Sequence, residues 1–165
     1  MPSLRRPTEQ VIRKFLEQQQ ACDFSYAEVE GTRDQAPAGY ASDHRRIELG
    51  TGEDTFAAAR AAIDDWQMFA VGWVDLYPAR PVIEPGTSVA IVFRVAGLWW
   101  MSACRIVYVI DEPGPPARYG FAYGTLPGHV ERGEERFMVE QDAEGRSWYD
   151  LSSFSRPSHP LLWLG

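Results

Sequence analysis

From residue 71 onward the apolar runs of this chain follow one another through links too short to cross over a sheet. Candidate strands lie at 72–77, 87–96, 98–110, 117–124, 134–140 and 146–154, joined by "PARP", "EPG", "AG", "DEPGPP", "TLPGHVERG" and "QDAEG". These links carry the glycine, proline and aspartate chemistry of turns. Parallel neighbours need connections of a dozen or more residues, so successive strands here must pair antiparallel. The central strands are apolar on both faces. On 87–96, Val89, Ile91, Phe93 and Val95 point one way, and Ala90, Val92, Arg94 and Ala96 the other. An antiparallel sheet with one wet face would alternate more cleanly. Both faces therefore require cover.

The first part of the chain supplies helices for that purpose. A helix is expected over 8–20, with Thr8 as N-cap and Val11, Ile12, Phe15 and Leu16 on one face. "FSYAEV" (24–29) has the length of a strand, and 30–43 is rich in turn formers. A second helix carries Phe56, Ala59, Ile63 and Trp66 on one stripe. Thr51 and Asp54 resemble a capping box at its start. Gly50 and Gly52 form a lone G-x-G, which suits a tight turn better than a phosphate loop, because the third glycine is missing. The order of elements defines an α+β fold in a single domain, 1–165. The expected architecture is a curved antiparallel sheet of about six or seven strands packed on helices, helix-grip-like or a partly closed barrel. The helix at 56–66 would cover one face. The N-terminal helix, a partner chain or sheet curvature would cover the other.

The apolar stretch "TSVAIVFRVAGLWWMSACRIVYVI" (87–110) has the length of a membrane span. Arg94 and Arg105 lie within it and Gly97 interrupts it, so two adjacent strands account for it better. The formal charge of −7 and pI near 5.0 give a field that repels phosphates, and no nucleic-acid partner is expected. Cys22 and Cys104 belong to no metal or redox motif. The polar start "MPSLRRPTEQ" lacks the apolar stretch of a secretory signal, which makes a cytoplasmic monomer or small oligomer the default.

The block "GFAYGTLPGHVERGEERF" (120–137), with the "SRP" of 155–157 and the region 49–74, is similar to an uncharacterised family, domain of unknown function nineteen-ninety. The similarity runs from about Phe24 to the C-terminus. By its layout this family resembles the helix-grip group, START-like and birch-pollen-allergen-like proteins, which hold apolar ligands between a curved sheet and a C-terminal helix. The resemblance implies a ligand cavity. It also implies a gripping helix, which is expected to be absent here or supplied by another subunit, since the sequence stops at Gly165.

Two groups of residues in and around the block carry candidate chemistry. Tyr119, Phe121 and Tyr123 alternate against Gly120, Ala122 and Gly124, the pattern of a strand whose small-residue side is closely approached. Tyr123 and Thr125 place hydroxyls where a cavity mouth would orient an apolar ligand. Trp66, Trp73, Tyr119, Arg136 and Arg156 complete the candidate ligand-binding set. His129, Glu131, Glu134 and Glu135 form H-x-E-x-x-E-E, a donor set able to act as acid and base. Its spacing matches no metal motif, and no metal or cofactor is expected. Arg132 and Arg136 stand close enough to neutralise the acids, and Glu134 or Glu135 is expected to pair with Arg156 across adjacent strands. The functional reading is a module binding a small apolar or amphipathic molecule between sheet and helix. The rivals are an enzyme using His129 and the glutamates, and a homo-oligomer joined through an apolar strand face at Trp99 or Trp100 or through the tail "HPLLWLG".

Overall fold

The structure is a computed structural model, and it describes residues 2–34 and 36–158. Seven strands form one antiparallel sheet: β1 (Ala41–Thr51), β2 (Val74–Tyr77), β3 (Ser88–Val95), β4 (Leu98–Glu112), β5 (Ala117–Thr125), β6 (Glu131–Gln141) and β7 (Arg146–Pro157). Their spatial order is β1-β7-β6-β5-β4-β3-β2, so β2 to β7 run as a meander and β1 joins the outside of β7. The sheet does not close, because β1 and β2 occupy opposite edges. Register shifts at Glu48/Gly50 and Ile106/Tyr108 mark bulges, the usual device for bending a strand.

Each face has its own cover. Helix α2 (Glu53–Asp64) lays Ala59 and Ile63 on one face, where they meet Val89, Cys104, Ile106, Phe121 and Val139. Helix α1 (Glu9–Gln20) lays Ile12 and Leu16 on the other, against Ala90, Val92, Ala103 and Leu126. The two-sided apolar pattern of β3 thus has a physical cause: a helix on each side. Val11, expected on the buried stripe of α1, is half exposed. Arg105 interrupts the apolar run of β4 for a reason. Its guanidinium donates to the carbonyl oxygens of Gln19 (2.8 Å), Gln20 (3.1 Å) and Cys22 (2.9 Å), satisfying acceptors at the end of α1. Among the described residues no helix is long and apolar enough to cross a membrane.

Four expectations are corrected. The stretch 24–29 forms no strand. Instead it is strapped onto the second face, with the Ser25 N–H donating to the Thr125 carbonyl at 2.9 Å. Residues 41–51, assigned to a loop and a helix approach, form edge strand β1. Nearly all of its residues are exposed, so it has no alternating apolar signal. The capping box at Thr51 and Asp54 is absent. Thr51 closes β1, Gly52 at φ 93° opens α2, and its N–H donates to the Gly145 carbonyl at 2.9 Å. Finally, β6 begins at Glu131, not Glu134, and so takes the acidic cluster out of the turn and into the sheet.

Candidate functional site

That earlier start of β6 decides the fate of the glutamates. Neighbouring residues on a strand point to opposite faces. Glu134 faces the N-terminal segment and is 2% exposed. Its carboxylate accepts from the Tyr26 hydroxyl (2.7 Å), the Glu30 N–H (2.9 Å), the Thr32 N–H (3.0 Å) and the Thr32 hydroxyl. Four donors from residues 26–32 therefore converge on one buried anion, a structural pin. Glu135 faces the α2 side and accepts from the Tyr123 hydroxyl at 2.7 Å. Arg156 is paired with neither acid. It stands opposite Arg132 in register and lies 4.5 Å over the Tyr40 ring, which corrects the expected cross-strand pair.

Glu135, Tyr123, Thr125, His129 and Glu131 line a cleft of about 110 Å³ at the turn end of β5 and β6. The Glu131 N–H donates to His129 Nδ1 at 3.1 Å. Burial pushes the His129 imidazole below its ordinary value, against a smaller opposing pull from the Glu131 carbonyl. Burial likewise raises the Glu135 carboxyl, and the Tyr123 hydrogen bond only partly offsets it. The Thr125 hydroxyl is already engaged by Ser25 (2.6 Å) and the Gly133 N–H (3.0 Å). Among the described residues no three His, Cys, Asp or Glu side chains are grouped as a metal would require.

A carboxyl raised on folding favours the native state below its unfolded value and loses that contribution as pH rises. Glu135→Gln keeps an acceptor for Tyr123 and removes the charge. Its melting temperature is expected to exceed that of the parent at pH 7, with the difference vanishing near about pH 4. Thermal unfolding across a pH series checks this; a constant difference at every pH contradicts it.

The larger opening on the α2 face is apolar. Leu49, Ala59, Ile63, Met68, Val139 and Tyr149 line about 350 Å³ between the helix and strands β1, β6 and β7. On β6, Val139, Phe137 and Glu135 succeed one another on this face, paired with Tyr149, Leu151 and Ser153 of β7. The cleft and the Tyr123–Glu135 pair thus share one face of β6, with the buried Phe137 ring packed against Phe69, Phe121 and Tyr123 between them. Leu49 and Tyr149 could be found only by recognising β1 and its partner β7 as one wall, and the polar appearance of β1 concealed it.

The other residues singled out in the sequence lie apart. Trp66 is 2% exposed, its ring centroid 4.6 Å from that of Phe121 and its Nε1–H donating to the Pro81 carbonyl at 3.0 Å. It belongs to the core rather than to the wall of either cleft. Trp73 is 63% exposed. Tyr119 donates to Asp64 at the end of α2, with Arg60 4.1 Å over its ring. Burial, helped by Asp64, pushes its hydroxyl up to about 12. Arg136 lies on the second face, donating to the Thr32 carbonyl (2.9 Å) and to Asp150 (2.8 Å). Trp99 packs with the α1 cluster beside Arg6 and Arg94, and the expected tail contact lies outside the described residues.

These features define an α+β protein: an open seven-stranded antiparallel sheet, helix-covered on both faces, with an apolar cleft beneath α2. The chain belongs to the family described as domain of unknown function (DUF1990), whose model matches residues 25–165. It is 39% identical over 171 residues to a UPF0548 protein of Deinococcus radiodurans, covering 96% of this chain and 84% of that one. A UPF0548 protein of Dictyostelium discoideum is 34% identical over 180 residues, covering 98% and 83%. One from Arabidopsis thaliana is 35% identical over 130 residues, covering 77% and 63%. Among solved structures, a hypothetical protein of Helicobacter pylori is similar at 8% identity with a TM-score of 0.47, covering 82% of this chain and 79% of that one.

Proposed function

We propose that this protein is a non-enzymatic module that holds a small apolar or amphipathic molecule between α2 and the sheet. The observation that carries the reading is the apolar cleft of about 350 Å³, within the size range of small-ligand sites. Polar groups within the same cleft supply the second requirement. Tyr149 and Gln67, which line this cleft, offer a hydroxyl and an amide to a ligand head group. Few convergent polar groups beside a larger apolar wall is the usual composition of such a site. The helix-grip resemblance is consistent with this reading and adds the expectation of a lipid-like or aromatic cargo.

Native mass spectrometry and solvent extraction of the purified protein test the proposal. A co-purifying apolar molecule is expected in the parent. Ala62→Trp, which projects an indole from α2 into the cleft, is expected to lose that molecule while remaining folded. A cargo retained in full by the folded Ala62→Trp variant would place it elsewhere and remove the reading.

A further inference from the structure

The second face of the sheet holds a cavity of a different kind, about 400 Å³, outside the apolar cleft. Four arginines (Arg33, Arg46, Arg118 and Arg136) and His44 face three carboxylates, those of Glu112, Glu140 and Asp150. With Glu30, the ion-pair partner of Arg33, the four arginines meet four carboxylates, so the cavity is marked by its density of guanidinium donors, inside a chain whose formal charge is −7.

The two inner acids are already committed. Glu140 accepts from Arg46 (2.7 Å) and Arg118 (2.6 Å). Asp150 accepts from Arg136 (2.8 Å) and Arg46 (3.3 Å) and contacts His44 Nε2 at 2.9 Å. Burial alone would raise both carboxyls, and their cationic partners outweigh it and hold both below their ordinary values. Donors nevertheless remain. Arg136 Nε is shut off from solvent and has no acceptor. Arg33 spends only its Nε on Glu30 (2.8 Å) while its guanidinium lies 3.8 Å over the Tyr108 ring. Its terminal nitrogens make no hydrogen bond among the described residues. Tyr108, Ile110 and Met138 give the cavity an apolar floor.

We infer that this cavity binds a small organic oxyanion, a phosphate or carboxylate group carried on a compact apolar body. The arginine fork matches the paired oxygens of either group, and the terminal nitrogens of Arg33 supply donors that the internal acids leave unused. The net negative field of the chain excludes extended polyanions and leaves this sheltered site to a small one.

Titration calorimetry on the full chain at constant ionic strength tests the inference, with pyrophosphate as the phosphoryl probe and succinate as the carboxylate probe. One of the two is expected to bind, and the one that binds names the group. Arg33→Gln and Arg118→Gln are each expected to weaken that probe about tenfold or more, the loss of one charge-assisted hydrogen bond. Arg60→Gln, at α2 on the opposite face, is expected to leave it unchanged. The half-exposed Arg33 side chain touches only Glu30 and the Tyr108 ring, so its variant should remain folded with a melting temperature close to the parental one. Absence of binding by both probes to the folded parent, or equal binding by parent and Arg33→Gln, overturns the assignment.

Discussion

Glu134→Ala is expected to lower the unfolding free energy by about 4 kcal/mol, the largest loss among polar positions. The carboxylate is 2% exposed and accepts from four donors of residues 26–32, two of them backbone N–H groups. Alanine leaves the Tyr26 hydroxyl and the Thr32 N–H buried without partners, strips the part-buried Glu30 N–H of its acceptor, and leaves the Thr32 hydroxyl only the Tyr108 hydroxyl. Each orphaned group costs about 1–3 kcal/mol, and part of that is recovered as the segment loosens and admits water. Glu134→Gln is expected to cost less, since the amide retains one acceptor oxygen but directs its NH2 toward groups that also donate. Urea unfolding gives the result directly. A shift in midpoint at unchanged slope is expected for both variants, and native-state hydrogen exchange should quicken first at Glu30 and Thr32. A fully stable Glu134→Ala protein would contradict the assignment of this carboxylate as a pin. An enzyme using Glu134 only as an acid or base would instead keep its melting temperature in that variant.

The second large effect lies in the apolar core under α2. Phe121 is fully buried, with ring centroids of Trp66, Phe137 and Tyr123 at 4.6, 5.5 and 6.5 Å. Phe121→Ala is expected to cost about 3–5 kcal/mol through lost burial and the cavity left behind. Trp73→Ala is expected to change stability by less than about 0.5 kcal/mol, because that indole is 63% exposed. Chemical denaturation of the pair separates core from surface aromatics. Comparable losses for the two variants would place Trp73 in a contact outside the described residues.

The same β5 alternation shows how far the sequence alone could lead. Tyr119, Phe121 and Tyr123 do share the α2 face, and Gly120 and Gly124 do face close neighbours. A Cβ at Gly124 would strike the Tyr26 ring, and one at Gly120 the Phe137 carbonyl. The need to cover both faces followed from β3, and α1 and α2 meet it. What was hidden was hidden for physical reasons. Strand β1 is an exposed edge and carries no period-two apolar signal. Residues 24–29 look strand-like because Phe24 and Tyr26 are aromatic, but those rings plug the second face instead of joining a ladder. Glu140 and Asp150 lie inside the strands expected at 134–140 and 146–154. Buried acids in mid-strand require cations beside them, and that was the available signal for the arginine-lined cavity. It pointed to Arg46 only once β1 was known to pair with β7.

The most direct test of the central claim is a methyl NMR titration of the full chain with decanoate, a simple amphipathic probe. The account predicts saturable shifts at the methyls of Ala59, Ala62, Met68 and Val139, all of which line the cleft. Shifts confined to Val92 and Ala103 on the α1 face, or none at any methyl, would contradict a ligand held between α2 and the sheet.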